Sequence, residues 1–299
     1  MGSRTSLAML LLAIAPSALA GCALREARPQ NVSTRPAGPG PVVVTGLAGS
    51  GPLAPVTVPE ADPADRDRDH DDDSPSPDPS SALLPASTGG HPGTGPAMHY
   101  AALDRATCEA ELGKRKISFE RVAEARGVVA PVRIPGAIGG VTFHSMLPPS
   151  QRKTSPYEIY DCRLVLALDD YAKILSKYDI VEAVHYSVYR PPSPKAVANG
   201  PGRRHSGALA IDIGWFKTKD GKTINVEKDF HGRIGQKPCG PKATPTTGLP
   251  GEASTLRALV CEAADAQLFN VMLTPDYNWP HRNHFHFEVT AGVKWVLVR

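Results

Sequence analysis

Residues 281–289 read HRNHFHFEV, and their last six positions alternate strictly between polar and apolar side chains. Successive side chains of a β-strand point to opposite faces, so this alternation predicts a half-buried strand over residues 284–289. One face carries His284, His286 and Glu288, while the other carries two phenylalanines and a valine. We therefore expect a strand that packs its apolar face on a core and presents two imidazoles and a carboxylate on the other.

An earlier segment, residues 205–216, reads HSGALAIDIGWF and has a similar alternation. From residue 208 to residue 216 large apolar side chains alternate with small ones, which predicts a second strand. The apolar face of this strand would carry Leu209, Ile211, Ile213 and Trp215. Asp212 lies among the small residues of the opposite face. If the two predicted strands pair, Asp212 can face His286, because the small side chains around Asp212 leave space on that surface.

The histidines and the aspartate of these two segments suit a zinc site. Zinc catalysis requires about three nitrogen or oxygen ligands from the protein and one open position for water. Asp212 lies seven positions after His205, and a His-x-His pair, His284 and His286, follows much later. A single histidine would favour a plain surface strand, whereas this set favours one zinc ion per chain with an imidazole left over as a base.

This spacing resembles that of the peptidoglycan-cleaving zinc peptidases of the D-alanyl-D-alanine carboxypeptidase and lysostaphin type. The resemblance implies that His205, Asp212 and His286 hold the metal. The murein endopeptidase branch carries a further histidine where His281 stands. The carboxypeptidase branch takes its base from a Glu-x-x-His motif, and no such motif precedes His284. The resemblance therefore leaves the role of the base to His281 or His284.

The sequence is more similar to the bacterial extensin-like C-terminal domain, over roughly residues 100 to 299. The matching features are Ala-Ile-Asp-Ile at 210–213, Phe216, Asp220-Gly221, Cys261, and Leu-Thr-Pro-Asp-Tyr-Asn at 273–278 before the histidine segment. The name of this family implies no particular chemistry, so a binding-only member remains an alternative to an enzyme.

Three further polar residues are candidates for the site. Residues 187–190, Ser-Val-Tyr-Arg, resemble a Ser-x-Tyr-Arg motif of the peptidases, whose arginine stabilises a substrate carboxylate or the developing oxyanion. This resemblance gives Arg190 that role; the alternative is a surface arginine that closes a strand. Asp276 and Glu288 could accept hydrogen bonds from the ring N–H groups of site histidines. Asp276 could equally cap a turn. Residues 277–279 are expected to shape the loop or the rim of the cleft, with Trp279 packing rather than binding.

The N-terminus has the features of a lipoprotein signal peptide over residues 1–21. Arg4 precedes an apolar run, residues 7–15, that is too short to span a bilayer. Leu-Ala-Gly-Cys at 19–22 then resembles the lipobox of bacterial lipoproteins, which implies that Cys22 is lipidated. The alternative is an ordinary signal peptide with a chance cysteine. We expect a lipid-anchored protein of the cell envelope, on the periplasmic face of a bacterial membrane and preferentially the outer membrane.

Residues 22–97 are rich in proline, glycine and aspartate and lack apolar periodicity, so we expect a disordered tether. Residues 60–78 contain nine acidic residues and two arginines, a local charge of −7. Because the whole chain is +3, the remainder carries about +10. A basic domain favours anionic cell-wall polymers, while dispersed basic residues and export argue against nucleic acid.

Four cysteines remain in the domain predicted over residues 98–299: Cys108, Cys162, Cys239 and Cys261. An even number in an exported protein favours disulfides, and four cysteines allow three pairings. We prefer Cys239 with Cys261, because a loop and the start of a nearby helix would close a short ring. Cys108 would then pair with Cys162. The cysteines lack the close spacing of a zinc site.

The expected fold is α+β, with a small antiparallel sheet, flanking helices and the zinc-peptidase-like core that the resemblance implies. Helices are predicted at 104–113, 159–177 and 255–269, the last capped by Ser254. Strands are predicted at 181–189, 208–216, 284–289 and 294–298. His144, His185 and His231 lack metal-ligand spacing, and His231 is expected at the surface.

These features together favour an envelope lipoprotein whose domain hydrolyses peptide bonds of peptidoglycan, with the peptidoglycan stem peptides as its partner. The alternative is a lipoprotein of the envelope that retains the fold for binding or for structure, without catalysis.

Overall fold

A computed structural model describes residues 91–92, 94–193, 201–243 and 245–299. The predicted signal peptide, Cys22 and most of the predicted tether lie outside these residues. Regular structure begins before residue 98, because a short strand lies at His91–Pro92 and a helix begins at Pro96. Among the described residues, no helix combines the length and the apolar character that crossing a bilayer requires.

The helices of the described residues are α1 (Pro96–Ala101), α2 (Arg105–Lys114), α3 (Pro149–Arg152), α4 (Cys162–Lys177), α5 (Val226–Asp229) and α6 (Gly251–Asp265). The strands are β1 (His91–Pro92), β2 (Glu120–Arg121), β3 (Pro131–Arg133), β4 (Thr142–Ser145), β5 (Tyr160–Asp161), β6 (Ile180–His185), β7 (Ala210–Thr218), β8 (Thr223–Asn225), β9 (Val271–Leu273), β10 (Phe285–Glu288) and β11 (Trp295–Val298).

The main sheet has the strand order β1-β11-β9-β10-β7-β6-β4, with β8 added on β7, and β2, β3 and β5 form a second, smaller sheet. The α+β class is therefore confirmed. The smaller sheet is antiparallel, as expected, whereas the main sheet is larger than expected, with eight strands, and is mixed. The pairs β4–β6 and β9–β11 are parallel. A parallel pair needs a long crossover, and the chain between β4 and β6 includes α4.

The predicted apolar face of β10 lies in the core. Phe285, Phe287 and Val289 are fully buried, as are Ile211 and Ile213 of β7. The core also contains most of α4, which lies over the sheet and buries its leucines. The apolar faces of β7 and β10 therefore anchor both strands on one side and leave the opposite side for the polar residues.

A β-bulge breaks the alternation that was predicted for β7. Val184 of β6 pairs with Trp215, and the next residue, His185, pairs with Ile213, so that Gly214 is the extra residue. The bulge reverses the faces beyond it. Phe216 is consequently buried in the core, whereas Trp215 is only partly buried and was wrongly placed on the core face.

The predicted helices are present, with shifted ends. α6 begins at Gly251, after an extended Pro250, so that Ser254 lies inside the first turn and does not cap it. It ends at Asp265 because Gln267 adopts a positive φ of 51°. The Leu268 N–H then bonds the Ala263 carbonyl at 3.0 Å. This is the Schellman arrangement that glycine usually permits, so the sequence carried no signal for it.

Both predicted disulfides are present. Cys108 of α2 is joined to Cys162 at the start of α4, and Cys239 of a loop is joined to Cys261 of α6. The first bond closes a separation of 54 residues and the second a separation of 22. The bonds therefore tie α2 and the 239 loop to the two long helices.

Replacing both Cys108 and Cys162 by alanine should lower the free energy of unfolding by about 2–5 kcal/mol, because the longer closed ring restricts the unfolded chain most. Equilibrium urea unfolding measures this loss. The paired variant Cys239→Ala and Cys261→Ala, which opens the shorter ring, should lose less. Equal midpoints for the first variant and the parent protein would contradict the expectation.

Candidate metal centre

The pairing of β7 with β10 creates the centre of the site. The two strands are antiparallel, and their register places His286 directly opposite Asp212. His205 joins them from a 3-10 turn at Arg204–Gly207 that precedes β7. One possible ligand atom from each of these three side chains lies within 4.8 Å of the other two. All three side chains are buried, so the cluster is enclosed rather than spread over a surface.

The orientation of the His205 ring follows from its backbone contact. Its Nδ1 lies 2.8 Å from the carbonyl oxygen of Val188, which can only accept a hydrogen bond. Nδ1 therefore carries a proton and donates it. The other ring nitrogen, Nε2, lies 3.1 Å from Oδ2 of Asp212 and 3.3 Å from Nδ1 of His286. A nitrogen lone pair facing a carboxylate oxygen at this distance calls for a cation, either a proton or a metal ion, between the two atoms.

The turn that carries His205 has left-handed backbone at both ends. Arg204 and Ala208 have φ values of 46° and 53°, in a region that costs a non-glycine residue roughly 1–2 kcal/mol. The turn packs tightly, because a Cβ on Gly207 would lie 2.3 Å from the carbonyl oxygen of Gly202. Tertiary packing therefore holds His205 in a conformation that the local sequence would not adopt by itself.

The Asp212 carboxylate lies at the centre of the cluster, and the residue is only 4% exposed. Its Oδ1 lies 2.9 Å from Nδ1 of His286 and 3.4 Å from Nε2 of His284, and its Oδ2 accepts a hydrogen bond from Arg190 at 3.0 Å. Burial alone would raise the pKa of Asp212, but the neighbouring histidines hold it well below its usual range. Asp212 is therefore an ionised buried carboxylate.

His286 lies between two carboxylates. Its Nδ1 faces Asp212, and its Nε2 lies 3.5 Å from Oε2 of Glu288. Burial lowers the pKa of His286, but the hydrogen bonds to these two carboxylates outweigh it and raise the pKa to about 9. Burial raises the pKa of Glu288, and its bond to His286 more than offsets this, so that the pKa is lowered. Without a metal, His286 therefore carries a proton at neutral pH.

His281 and His284 form the outer part of the cluster. The ring of His281 lies 5.2 Å from that of His284 and 5.7 Å from that of His286, between centroids. Burial is the main cause that lowers the pKa of His281 to about 3 and that of His284 to about 4. Both imidazoles are therefore neutral at pH 7, as a general base must be before it takes a proton.

Side-chain amides orient both rings. Nδ1 of His281 lies 2.5 Å from Oδ1 of Asn278, and Nδ1 of His284 lies 2.8 Å from Oδ1 of Asn283. If Nδ1 of His281 donates to its amide oxygen, its Nε2 is left as the proton acceptor. The same assignment for His284 leaves a lone pair of Nε2 facing Oδ1 of Asp212 at 3.4 Å, so this ring also calls for a cation between the two atoms. The two asparagines were missed as orienting residues from the sequence, although each stands close to the histidine that it contacts.

The structure brings most of the predicted site residues together, with one exception. For Asp276 the sequence left open a bond to a site histidine or the cap of a turn. Asp276 accepts hydrogen bonds from Arg257 Nη1 at 3.0 Å and from the backbone N–H of Arg233 at 2.6 Å. It does not bond a histidine because Arg257 of α6, far away in the sequence, supplies a stronger, charged partner. Asp276 therefore connects the loop before the histidines to α6. This role is closer to the alternative in which Asp276 caps a turn.

His144, His185 and His231 do not belong to the group of three that could share a metal. His144 pairs with Glu182 at 2.8 Å, and the buried His185 contacts the hydroxyl of Tyr160 at 2.9 Å. His231 is exposed, as expected. The backbone carbonyl of Val188, which orients His205, could not have been found from the sequence, because any residue type supplies such a group.

A family model described as Extensin-like protein C-terminus matches residues 106–299, which is more than half of the chain. Comparisons with curated proteins and with solved structures gave no match.

Proposed function

The chain belongs to the family of extensin-like protein C-termini, and we propose that it is a zinc-dependent peptidase that hydrolyses peptide bonds of peptidoglycan. The observation that carries this proposal is the buried set of His205, Asp212 and His286, whose candidate ligand atoms lie within 4.8 Å of one another. The choice of peptidoglycan rests on the resemblance of the spacing to peptidoglycan peptidases and on the lipoprotein-like N-terminus.

The donor atoms fit zinc better than calcium or magnesium. Two imidazoles and one carboxylate match the three protein ligands of catalytic zinc sites, which keep a fourth position for water. Calcium and magnesium prefer oxygen ligands alone. The ring of His205 is already fixed by its bond to Val188, and the Nε2 of His286 is supported by Glu288. Such outer hydrogen bonds orient metal-binding imidazoles and raise their basicity.

Zinc held there would supply Lewis-acid chemistry, polarising the scissile carbonyl and lowering the pKa of water. His281 or His284, neutral at pH 7, would accept the proton of the attacking water and pass it to the leaving amine. Arg190, held beside Asp212 by a hydrogen bond of 3.0 Å, would stabilise negative charge on the carbonyl oxygen or bind a carboxylate of the substrate.

The same proposal places the protein in the cell envelope. Lipidation at Cys22 would anchor the chain to a membrane, because acyl chains give stable attachment when more than one is present. The outer membrane is the preferred location. The domain would then reach the peptidoglycan from its membrane.

Digestion of purified sacculi tests the activity. The zinc-loaded protein should release new peptide amines, and removal of zinc by a chelator should abolish the release until zinc is restored. Chromatography of the released fragments identifies the bond. A zinc-loaded protein that bound sacculi but released no amines would favour the alternative of a non-catalytic envelope-binding domain.

Zinc affinity should rise by about tenfold per pH unit between pH 6 and pH 9, because one proton must leave His286 for each zinc bound. Its pKa of about 9 sets the upper end of this window. In Glu288→Gln the pKa of His286 should fall, so the affinity should level off at a lower pH. Competition with a chromophoric chelator at each pH measures the affinity.

Glu182→Gln provides the matched control, since Glu182 also pairs with a histidine but lies outside the cluster. Its pH profile should equal that of the parent protein. An affinity that stayed constant from pH 6 to pH 8 in the parent would remove His286 from the proposed ligands.

A further inference from the structure

Trp279 stands exposed beside the histidine cluster. Its side chain is 67% exposed, and it begins the 3-10 turn Trp279–His281. His281, at the end of this turn, directs its ring towards His284 and His286. Tyr277, which is 40% exposed, also contacts His281, with 5.4 Å between ring centroids. A row of rings therefore runs from the partly exposed Tyr277 through His281 to the buried cluster, and Trp279 lies on the same turn as His281.

The exposed ring of Trp279 is held in place by its neighbours. Asn278 caps the turn by accepting a hydrogen bond from the backbone N–H of His281, and Pro280 stiffens the backbone. The side chain of Arg282 donates a hydrogen bond to the carbonyl oxygen of Trp279, and its guanidinium lies 4.6 Å from the centroid of the indole ring. The contact with Arg282 orients the indole and leaves most of its surface open.

The position of the Trp279 ring and its fixed orientation both suit binding. A single exposed apolar residue on a protein surface needs no explanation. Trp279, however, shares its loop with a second exposed ring and begins the turn that ends at His281 of the proposed reaction centre. A ring that is already ordered also loses little conformational entropy when a ligand covers it.

We propose that Trp279 is a stacking platform for a sugar ring of the glycan strand of peptidoglycan. The proposal rests on the proposed function, because it assumes that the chain acts on this polymer. A pyranose ring presents an apolar face of C–H groups that can lie against an indole. Its hydroxyl and N-acetyl groups can accept hydrogen bonds from the nearby Arg282 and Asn283, which are both partly exposed.

The polar neighbours favour a sugar over a purely apolar partner. Covering Trp279 with an apolar surface would also desolvate the guanidinium of Arg282 without offering it an acceptor, which is costly. An N-acetylated sugar satisfies both groups, since it combines an apolar face with acceptors at its edge. The stem peptides branch from the same sugars, so a sugar bound here would bring its peptide towards the cluster.

A soluble tetramer of N-acetylglucosamine, which carries no peptide, is the probe for this subsite. It should bind the full-length protein, and Trp279→Ala should weaken the binding by about tenfold, the size expected for one aromatic contact. Trp279→Phe should retain part of the affinity. Titration calorimetry measures binding, and Val181→Ala, at an exposed apolar position of β6, should bind as the parent does.

Hydrolysis assays separate this inference from the proposed function. Trp279→Ala should keep its zinc and should cleave a sugar-free stem peptide at the parental rate, while its cleavage of the sugar-linked peptide should fall about tenfold. A parent protein that binds the tetramer through Trp279 but cleaves nothing would overturn only the peptidase. Failure of the parent to bind the tetramer, or an equal loss on both peptides in Trp279→Ala, would overturn the sugar platform.

Discussion

Asp212→Asn should remove zinc from the protein and reduce peptide hydrolysis to the level of the zinc-free parent. The substitution keeps the volume of the side chain but removes the negative charge at the centre of the cluster. Loss of an outer hydrogen-bond partner alone weakens metal binding by about 10–100-fold, and loss of a direct ligand should exceed this. Elemental analysis after dialysis and amine release from sacculi measure the two effects.

Asp212→Asn will also destabilise the fold, so it needs a control that separates metal loss from unfolding. Asp212 pairs with Arg190 at 3.0 Å, and Asp276 pairs with Arg257 at the same distance. Both carboxylates are buried, and removing one partner of a buried pair costs about 3–5 kcal/mol. Asp276→Asn should therefore lose comparable stability but keep its zinc. Full zinc occupancy in Asp212→Asn would refute the ligand assignment.

The site was predictable where it depends on local alternation. Period-two patterns assign residues to faces without knowledge of the rest of the chain. They placed Phe285 and Phe287 in the core and His286 on the opposite face of β10, where the structure has them. The same rule failed at Trp215, because a bulge of one residue in β7 exchanges the two faces of the strand beyond it. The sequence of β7 carries no unambiguous signal for this bulge. Gly214 was the only hint, since glycine inside a strand often marks a bulge.

Features that depend on distant partners were not predictable. The parallel neighbour of β6, β4, comes from an earlier segment, and no local pattern of β6 identifies it. The partner of Asp276 was not predictable for the same reason, because Arg257 reaches it from another helix. Likewise, the orientation of His205 depends on the carbonyl of Val188, which leaves no trace in the sequence.

The disulfides were predictable because only a few pairings exist. Four cysteines allow three arrangements, and the shortest plausible ring selects one of them. The loop and the helix that carry Cys239 and Cys261 are indeed adjacent. The covalent links therefore required less information than the sheet, in which each strand has many possible neighbours.

His281→Ala and His284→Ala should each retain zinc but reduce hydrolysis of peptidoglycan peptides by roughly 100-fold or more, as expected for the loss of a general acid or base. The ring of His281 adjoins those of His284 and His286, but neither His281 nor His284 belongs to the group of three that could share a metal. Measured zinc content and the hydrolysis rate at saturating substrate distinguish the two effects. His231→Ala, which removes an exposed histidine, should change neither.

His284 provides the sharper test of the two. Its Nε2 lies 3.4 Å from Oδ1 of Asp212, so it is the cluster residue that could replace one of the proposed ligands. His281 instead contacts Asn278 and the other rings. If His284→Ala lost its zinc while His205→Ala kept it, His284 would be the ligand, and His281 alone would be left as the base. If both His281→Ala and His284→Ala kept full activity and full zinc, neither imidazole would carry the proton, and the proposed acid–base chemistry would fail although the metal site stood.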